Sequence, residues 1–240
     1  MRIYLKTILA LNIILLGCSS DSETEENNDN GNNGTVLLLT GYSTGSGTFD
    51  DTYSIEYENG LVSNIDTGQG NFSLEYNSNG KVSTATNQFN EVRTYEYTSG
   101  RLGKKNYDGI WYDQFNYDSS GNIVSIVENQ DDGYDESAYY TYNPNGSLYS
   151  RHIGGSAYTY TFEFDDKKNP FYDIWNKSGY IEDLEDAIYG IVPMFAKHNP
   201  VKIFRDGELI TEINYSYNSH GYPITANIVG GGSAVYTYLD

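Results

Sequence analysis

Phe72-Ser73-Leu74-Glu75-Tyr76 is followed by Asn77-Ser78-Asn79-Gly80-Lys81-Val82, and this stretch decides the fold. Phe72, Leu74 and Tyr76 fall two residues apart, so they share one face of an extended chain, while Ser73 and Glu75 take the other. Asn77 and Gly80 then supply a side chain able to bond its own backbone and a residue free to take positive φ, which a tight hairpin needs. Val82 opens a second, weaker apolar strand.

The same unit recurs along the chain. Tyr53-Ser54-Ile55-Glu56-Tyr57 leads to Asn59-Gly60-Leu61-Val62, and Tyr95-Glu96-Tyr97 to Ser99-Gly100-Arg101-Leu102. Phe115-Asn116-Tyr117 leads to Asp118-Ser119-Ser120-Gly121-Asn122-Ile123, Tyr140-Thr141-Tyr142 to Asn143-Pro144-Asn145-Gly146, and Tyr215-Ser216-Tyr217 to Asn218-Ser219-His220-Gly221. From Tyr57 to Tyr142 successive key tyrosines are 19, 21, 20 and 25 residues apart. Tyr236-Thr237-Tyr238 reads as a last, unpaired first strand. The pattern predicts an all-β fold: a curled antiparallel sheet of about seven hairpins, because open sheets rarely exceed about ten strands without curling. Composition agrees, with 25 tyrosines, 25 glycines and only 5 prolines in 240 residues.

Tyr117-Asp118-Ser119-Ser120-Gly121-Asn122-Ile123 resembles the YD repeat of RHS-type surface and toxin-carrying proteins, and Gly100-Arg101-Leu102 keeps that repeat's Gly-Arg-Leu end. The likeness is one of pattern, spread over residues 50–240. RHS proteins form strand spirals that enclose cargo; so few repeats do not imply a closed shell.

The first seventeen residues form an export signal: Arg2 and Lys6, then the apolar run Ile8 to Leu16, broken by Asn12 and too short to span a bilayer. Leu15-Leu16-Gly17-Cys18 resembles the bacterial lipobox, which implies that Cys18, the sole cysteine, carries acyl chains. Ser19 to Gly34 has five acids and no apolar residue, so it reads as a solvated tether. A serine and acidic tract after the cysteine resembles leaders of Bacteroidetes-type outer-membrane lipoproteins, which implies display outside the cell. The expected organisation is a signal peptide at 1–17, a tether at 18–34 and a repeat domain at 35–240.

Within that domain the rhythm breaks at about 168–205. Asp166-Lys167-Lys168-Asn169-Pro170-Phe171 and Asn199-Pro200-Val201-Lys202-Ile203 resemble paired segments of uncharacterised Bacteroidetes lipoproteins with this repeat. Ile181, Leu184, Ile188 and Tyr189 recur at three- and four-residue steps, which predicts one short helix inside 178–192, covering one end of the tyrosine face.

A net charge of −19, from 33 acidic and 14 basic residues, excludes nucleic acid as a partner. Gly41-Tyr42-Ser43-Thr44-Gly45 matches the hydrolase elbow but lacks the helix that must follow it. His152, His198 and His220 lack metal-ligand spacing, and Asp131, Asp132, Asp135 and Glu136 fail the EF-hand pattern. No motif calls for a catalytic residue, cofactor or resident metal. The most site-like cluster is Trp111 and Tyr112 with Tyr107, Asp108 and Asp113, rings and carboxylates suited to stacking on a sugar. The expectation is a binding or scaffolding protein on the cell surface, held in outer-membrane lipid through Cys18, with a glycan or a surface protein among candidate ligands. The alternative is a carbohydrate-active enzyme, a glycoside hydrolase or lyase using acidic residues.

Overall fold

A computed structural model describes residues 37–45, 50–67, 70–107, 111–129, 137–155, 158–179, 181 and 192–239. Cys18, residues 19–34 and residues 131–136 lie outside these. Sixteen antiparallel strands close into a barrel. They run β1 (Leu38–Gly45), β2 (Asp50–Glu58), β3 (Leu61–Asp66), β4 (Asn71–Tyr76), β5 (Val82–Asn87), β6 (Val92–Thr98), β7 (Arg101–Asn106) and β8 (Tyr112–Tyr117). Then follow β9 (Ile123–Asn129), β10 (Ala138–Tyr142), β11 (Leu148–Ile153), β12 (Thr159–Phe164), β13 (Pro200–Arg205), β14 (Glu208–Tyr217), β15 (Pro223–Ile228) and β16 (Ser233–Leu239). The expected curled sheet is corrected here: it curls until β16 pairs with β1, Leu239 opposite Leu38 and Tyr236 opposite Tyr42. The final Tyr-Thr-Tyr segment is therefore paired. Closure removes the two exposed edges that an open sheet would leave.

Each repeat tyrosine sits at a register shift opposite the first buried residue of the following strand: Tyr57 opposite Val62, Tyr76 opposite Val82, Tyr97 opposite Leu102, Tyr117 opposite Ile123. In five repeats the tyrosine hydroxyl reaches back to the preceding repeat. Tyr76 donates to the Val62 carbonyl at 2.6 Å, Tyr117 to Leu102 at 2.9 Å, Tyr142 to Ile123 at 2.8 Å and Tyr238 to Pro223 at 2.8 Å. Tyr57 does the same to Leu39, at 2.7 Å. Repeat spacing is thus set by a side chain long enough to span one hairpin to the next.

Turn chemistry matches the sequence. Asn77 Oδ1 accepts the amides of Asn79 and Lys81 at 2.9 and 3.1 Å, while the Asn77 amide donates to the Lys81 carbonyl at 2.9 Å and Gly80 takes φ +70°. Asn59-Gly60 and Ser99-Gly100, with φ positive at both residues, are tighter turns of the two-residue kind favoured by hairpin twist.

Inside lies one core, including Ile55, Ile65, Leu74, Phe115 and Phe162. Outside, the cross-strand pairs are polar: Thr84 donates to Glu75 at 3.0 Å, Asn116 to Ser125 at 3.0 Å, Lys202 to Glu163 at 2.9 Å, and Ser216 lies 2.7 Å from Thr225. Val92, Tyr139, Tyr149, Leu209, Ile210, Ile224, Val235 and Leu239 are exposed apolar or aromatic side chains on the barrel strands. A membrane-spanning barrel carries an apolar band on its outer face. This wall instead mixes polar cross-strand pairs with those apolar side chains.

The segment between β12 and β13 is grafted into an ordinary repeat turn. Asp165 Oδ1 accepts the amides of Lys167 and Asn199 at 3.0 and 3.1 Å, and the Asp165 amide donates to the Asn199 carbonyl at 3.1 Å. These are the bonds Asn77 makes with Asn79 and Lys81, so Asn199 closes the loop where the fifth turn residue would. The segment contains helix α1 (Pro170–Ser178), started by Asn169, whose side chain accepts the Phe171 amide, and by Pro170 in the first turn. The sequence pattern placed the helix at 178–192 instead; most of that range lies outside the described residues. Phe171 meets the Tyr42 ring on β1 edge-on at 5.2 Å, and Phe195 meets Tyr140 on β10 at 5.0 Å. Those strands stand nearly opposite each other in the ring. The insert therefore crosses the lumen at the end where the tyrosine turns lie. It buries Phe171, Ile174, Ile181, Val192 and Met194 in the barrel's own core.

Candidate functional site

Strand alternation divides the aromatic cluster singled out from sequence. Trp111 is 46% exposed at the start of β8. Tyr112 faces outward, its hydroxyl accepting from Asn129 at 2.8 Å and its ring under the Lys104 ammonium at 3.9 Å. Asp113, the next residue, points inward and is buried. Its carboxylate pairs with the buried Lys105 at 2.8 Å and accepts from the Tyr107 hydroxyl at 2.9 Å. Arg93 lies over the rings of Phe72 and Tyr107, and Lys105 over Tyr107. Tyr107 and Asp113 thus come together in an internal ionic network, where a buried cation is tolerated because a carboxylate and ring faces surround it. Trp111 and Tyr112 lie apart from that network, and Asp108 lies outside the described residues.

Ser43 sits mid-strand between Thr52 and Val235, and four residues separate β1 from β2, too few for the helix of a nucleophile elbow. His152 and His198 bond the carbonyls of Tyr158 and Lys167 at 3.0 and 2.9 Å, and His220 sits in a repeat turn. Among the described residues no cluster of His, Cys, Asp or Glu could hold a metal ion.

A groove forms where the insert meets the tyrosine-bearing rim. Its larger lobe, about 270 Å³, lies between the turns at 118–122 and 143–147 and the insert, with Tyr142, Phe164, Tyr172, Trp175 and Phe195 as rings. Asn122, Ser147, Asn176, Lys197 and His198 supply its polar groups. Trp175 and Phe195 lie 5.8 Å apart at 57°, giving two ring faces at an angle. The smaller lobe, about 160 Å³, continues past Trp175 and Asn176 to Lys81, Tyr97, Arg101 and Tyr117.

Local chemistry fixes each cation. Lys81 donates to the Asn176 carbonyl at 2.7 Å, at the helix C-terminus where the backbone dipole favours a cation. Burial holds the Lys81 pKa below its ordinary value. The Arg101 guanidinium lies over the Tyr117 ring at 5.5 Å. Its Nη2 also lies against Gly121, 2.8 Å from where a Cβ would stand, and the φ of +90° there is what favours glycine. Burial pushes the Tyr117 hydroxyl up to about 12, with Arg101 pulling the other way. The Tyr97 hydroxyl is out of water and takes no hydrogen bond among the described residues. It stands 3.1 Å from where a Gly179 Cβ would be.

The sequence reading missed this groove because it treated the insert as cover. Asn169-Pro170 was its available signal: a capping side chain followed by proline starts a helix as readily as it makes a turn.

No protein-family model matches the chain, and no curated protein matches it. Solved structures do resemble it. A porin-like protein from Bacteroides uniformis aligns at TM-score 0.61 and 15% identity, over 86% of this chain and 99% of that one. A porin-like protein from Bacteroides vulgatus aligns at TM-score 0.44 and 10% identity, over 85% and 99%. The Tc holotoxin pore of Photorhabdus luminescens aligns at TM-score 0.33 and 10% identity, over 74% of this chain and 7% of that one. The last two scores are too low to build on. At its identity the first establishes fold alone, so the chain shares its barrel architecture with the B. uniformis protein.

Proposed function

We propose that this chain is a binding module held at the outer membrane by acyl chains on Cys18, with residues 1–17 removed, 18–34 serving as the tether and 35–240 facing the exterior. Its ligand enters the rim groove. The observation that carries this reading is the filled lumen: Phe171 against Tyr42 and Phe195 against Tyr140 place the insert across the barrel, so the fold offers a surface rather than a passage. The polar cross-strand pairs on the outer wall support attachment by a lipid rather than by the strands. Porin-like barrels of the same architecture are compatible with an outer-membrane setting, and a tethered barrel satisfies it without crossing the bilayer.

A glycoside hydrolase of the common kind needs two carboxylates flanking its substrate. The described residues lining the groove include no carboxylate. Nearby Asp118 is engaged by Asn122, and Asp173 by Tyr222 at 2.5 Å. Among the described residues no carboxylate pair supports hydrolysis in the groove, and binding is the reading it supports best. Trp111 and Tyr112 offer a separate ring surface on the outer wall. Glycan-array binding of the whole protein, repeated with Trp175→Ala and with Trp111→Ala/Tyr112→Ala, separates the two. The groove reading expects at least a tenfold loss from Trp175→Ala and little change from the pair. Unchanged binding in Trp175→Ala rejects the groove.

A further inference from the structure

The charge of the groove runs against the charge of the chain. Acidic residues outnumber basic ones by 33 to 14, so a surface drawn at random would carry an excess of carboxylates. The described lining holds Lys81, Arg101, Lys197 and His198 and no Asp or Glu. Among the described residues, Arg101 and Lys197 pair with no carboxylate; the ion pairs found there join Lys105 to Asp113, Lys167 to Asp166 and Lys202 to Glu163. Arg101 also rests on the rim, its guanidinium carbon 5.5 Å from the centre of the Tyr117 ring and Nη2 against Gly121, which sets its N–H donors at the smaller lobe.

Building on the binding reading above, we propose that the rim groove recognises a sugar bearing a carboxylate, with its ring against Trp175 and Phe195 and its carboxylate toward Arg101, while Lys197 adds positive charge to the larger lobe. The two lobes share Trp175, Asn176 and Gly121, so a ring in the larger lobe has its substituent directed into the smaller one. Their combined volume is near the lower end of small-molecule sites, about 300–1,000 Å³, which suits one acidic sugar unit at a chain end or branch. The Asn176 amide and the Asn122 side-chain oxygen provide donors and acceptors for sugar hydroxyls, while the Asn122 amide nitrogen and the Ser147 hydroxyl are already bonded to neighbouring turn residues. An acidic peptide would satisfy the cations but would leave these polar groups and the angled ring pair without use.

The test is calorimetric binding of the intact lipoprotein, in detergent micelles, to short oligomers of galacturonate, glucuronate and N-acetylneuraminate. Each is compared with its methyl ester, which keeps the ring and removes the charge. The expected result is binding of at least one acid form, tenfold or more tighter than its ester and weakening as salt is raised. Arg101→Gln/Lys197→Gln should bring acid and ester to within about twofold, while Trp175→Ala should weaken both forms in parallel. Circular dichroism and a melting curve establish that each variant is folded. An ester bound as tightly as the acid, or an acid preference that survives the double substitution, overturns the charge assignment. If the esters then still depend on Trp175, the groove reading stands without it. Failure of every saccharide to bind, with or without binding of a glutamate-rich peptide, overturns both.

Discussion

Tyrosine hydroxyls bonded to the carbonyls of the preceding hairpin are the smallest parts that explain the repeat. Their partners lie fourteen to nineteen residues upstream. The spacing of the tyrosines was readable from sequence, but the carbonyl each one meets depends on a register shift that no alternation pattern shows. Tyr117 and Tyr97 provide a matched comparison. Tyr117→Phe strands the Leu102 carbonyl and should cost about 1 kcal/mol in urea unfolding. Tyr97→Phe removes a hydroxyl with no partner among the described residues and should cost much less. Burial also raises the pKa of Tyr57, Tyr117, Tyr142 and Tyr238, Tyr117 to about 12. A group whose folded pKa lies above its unfolded value of 10.0 contributes stability that is complete below that pH and lost as pH rises through the folded value. The barrel should therefore lose stability steeply above about pH 10, with tyrosinate absorbance rising together with loss of the sheet spectrum. Tyrosinate forming fully while the sheet remains intact would contradict the burial of these side chains.

Among elements, the insert shows best where legibility ended. Its ends could be located, because Phe164 and Asp165 continue the aromatic-then-Asx rhythm and Asn199-Pro200 resumes it. Its interior could not, since a single helix without period-two alternation has no echo elsewhere in the chain. Asp165 keeps the turn's role across this long loop, accepting from Lys167 and Asn199 and also from the Tyr217 hydroxyl. Asp165→Ala should lower stability by roughly 1–3 kcal/mol, because several donors lose one acceptor, whereas Asn79→Ala, at an exposed turn position, should be nearly neutral. Inside the insert, burial raises the pKa of Asp173, against the Tyr222 hydroxyl. The folded state then holds a proton that the unfolded chain has released, so this group makes stability fall as pH climbs from its ordinary 3.8 toward the raised value. Asp173→Asn should remove that downward contribution, seen as a variant-minus-wild-type melting difference that grows across this window. A constant difference would show that Asp173 titrates alike in both states.

At the scale of the molecule, all-β class, hairpin repetition and one buried face were available from Phe72-Ser73-Leu74-Glu75-Tyr76 and its copies. Closure was not, because nothing in Val36 to Thr40 announces that β1 will receive β16. The candidate site was legible only in part: Trp111 and Tyr112 stand exposed or outward as a surface pair, but Asp113 and Tyr107 turn inward, since one step along a strand reverses the side chain. The groove needed the insert to be seen in place. At this scale we propose a plugged barrel that is tethered to a membrane rather than built into it. Residues 35–240, nearly all of the compact unit Gly34–Asp240, can be purified without signal and tether for the most direct test, phase partitioning in a detergent that separates on warming. The account predicts a folded, sheet-rich protein recovered in the aqueous phase; recovery of the folded barrel in the detergent phase would contradict it.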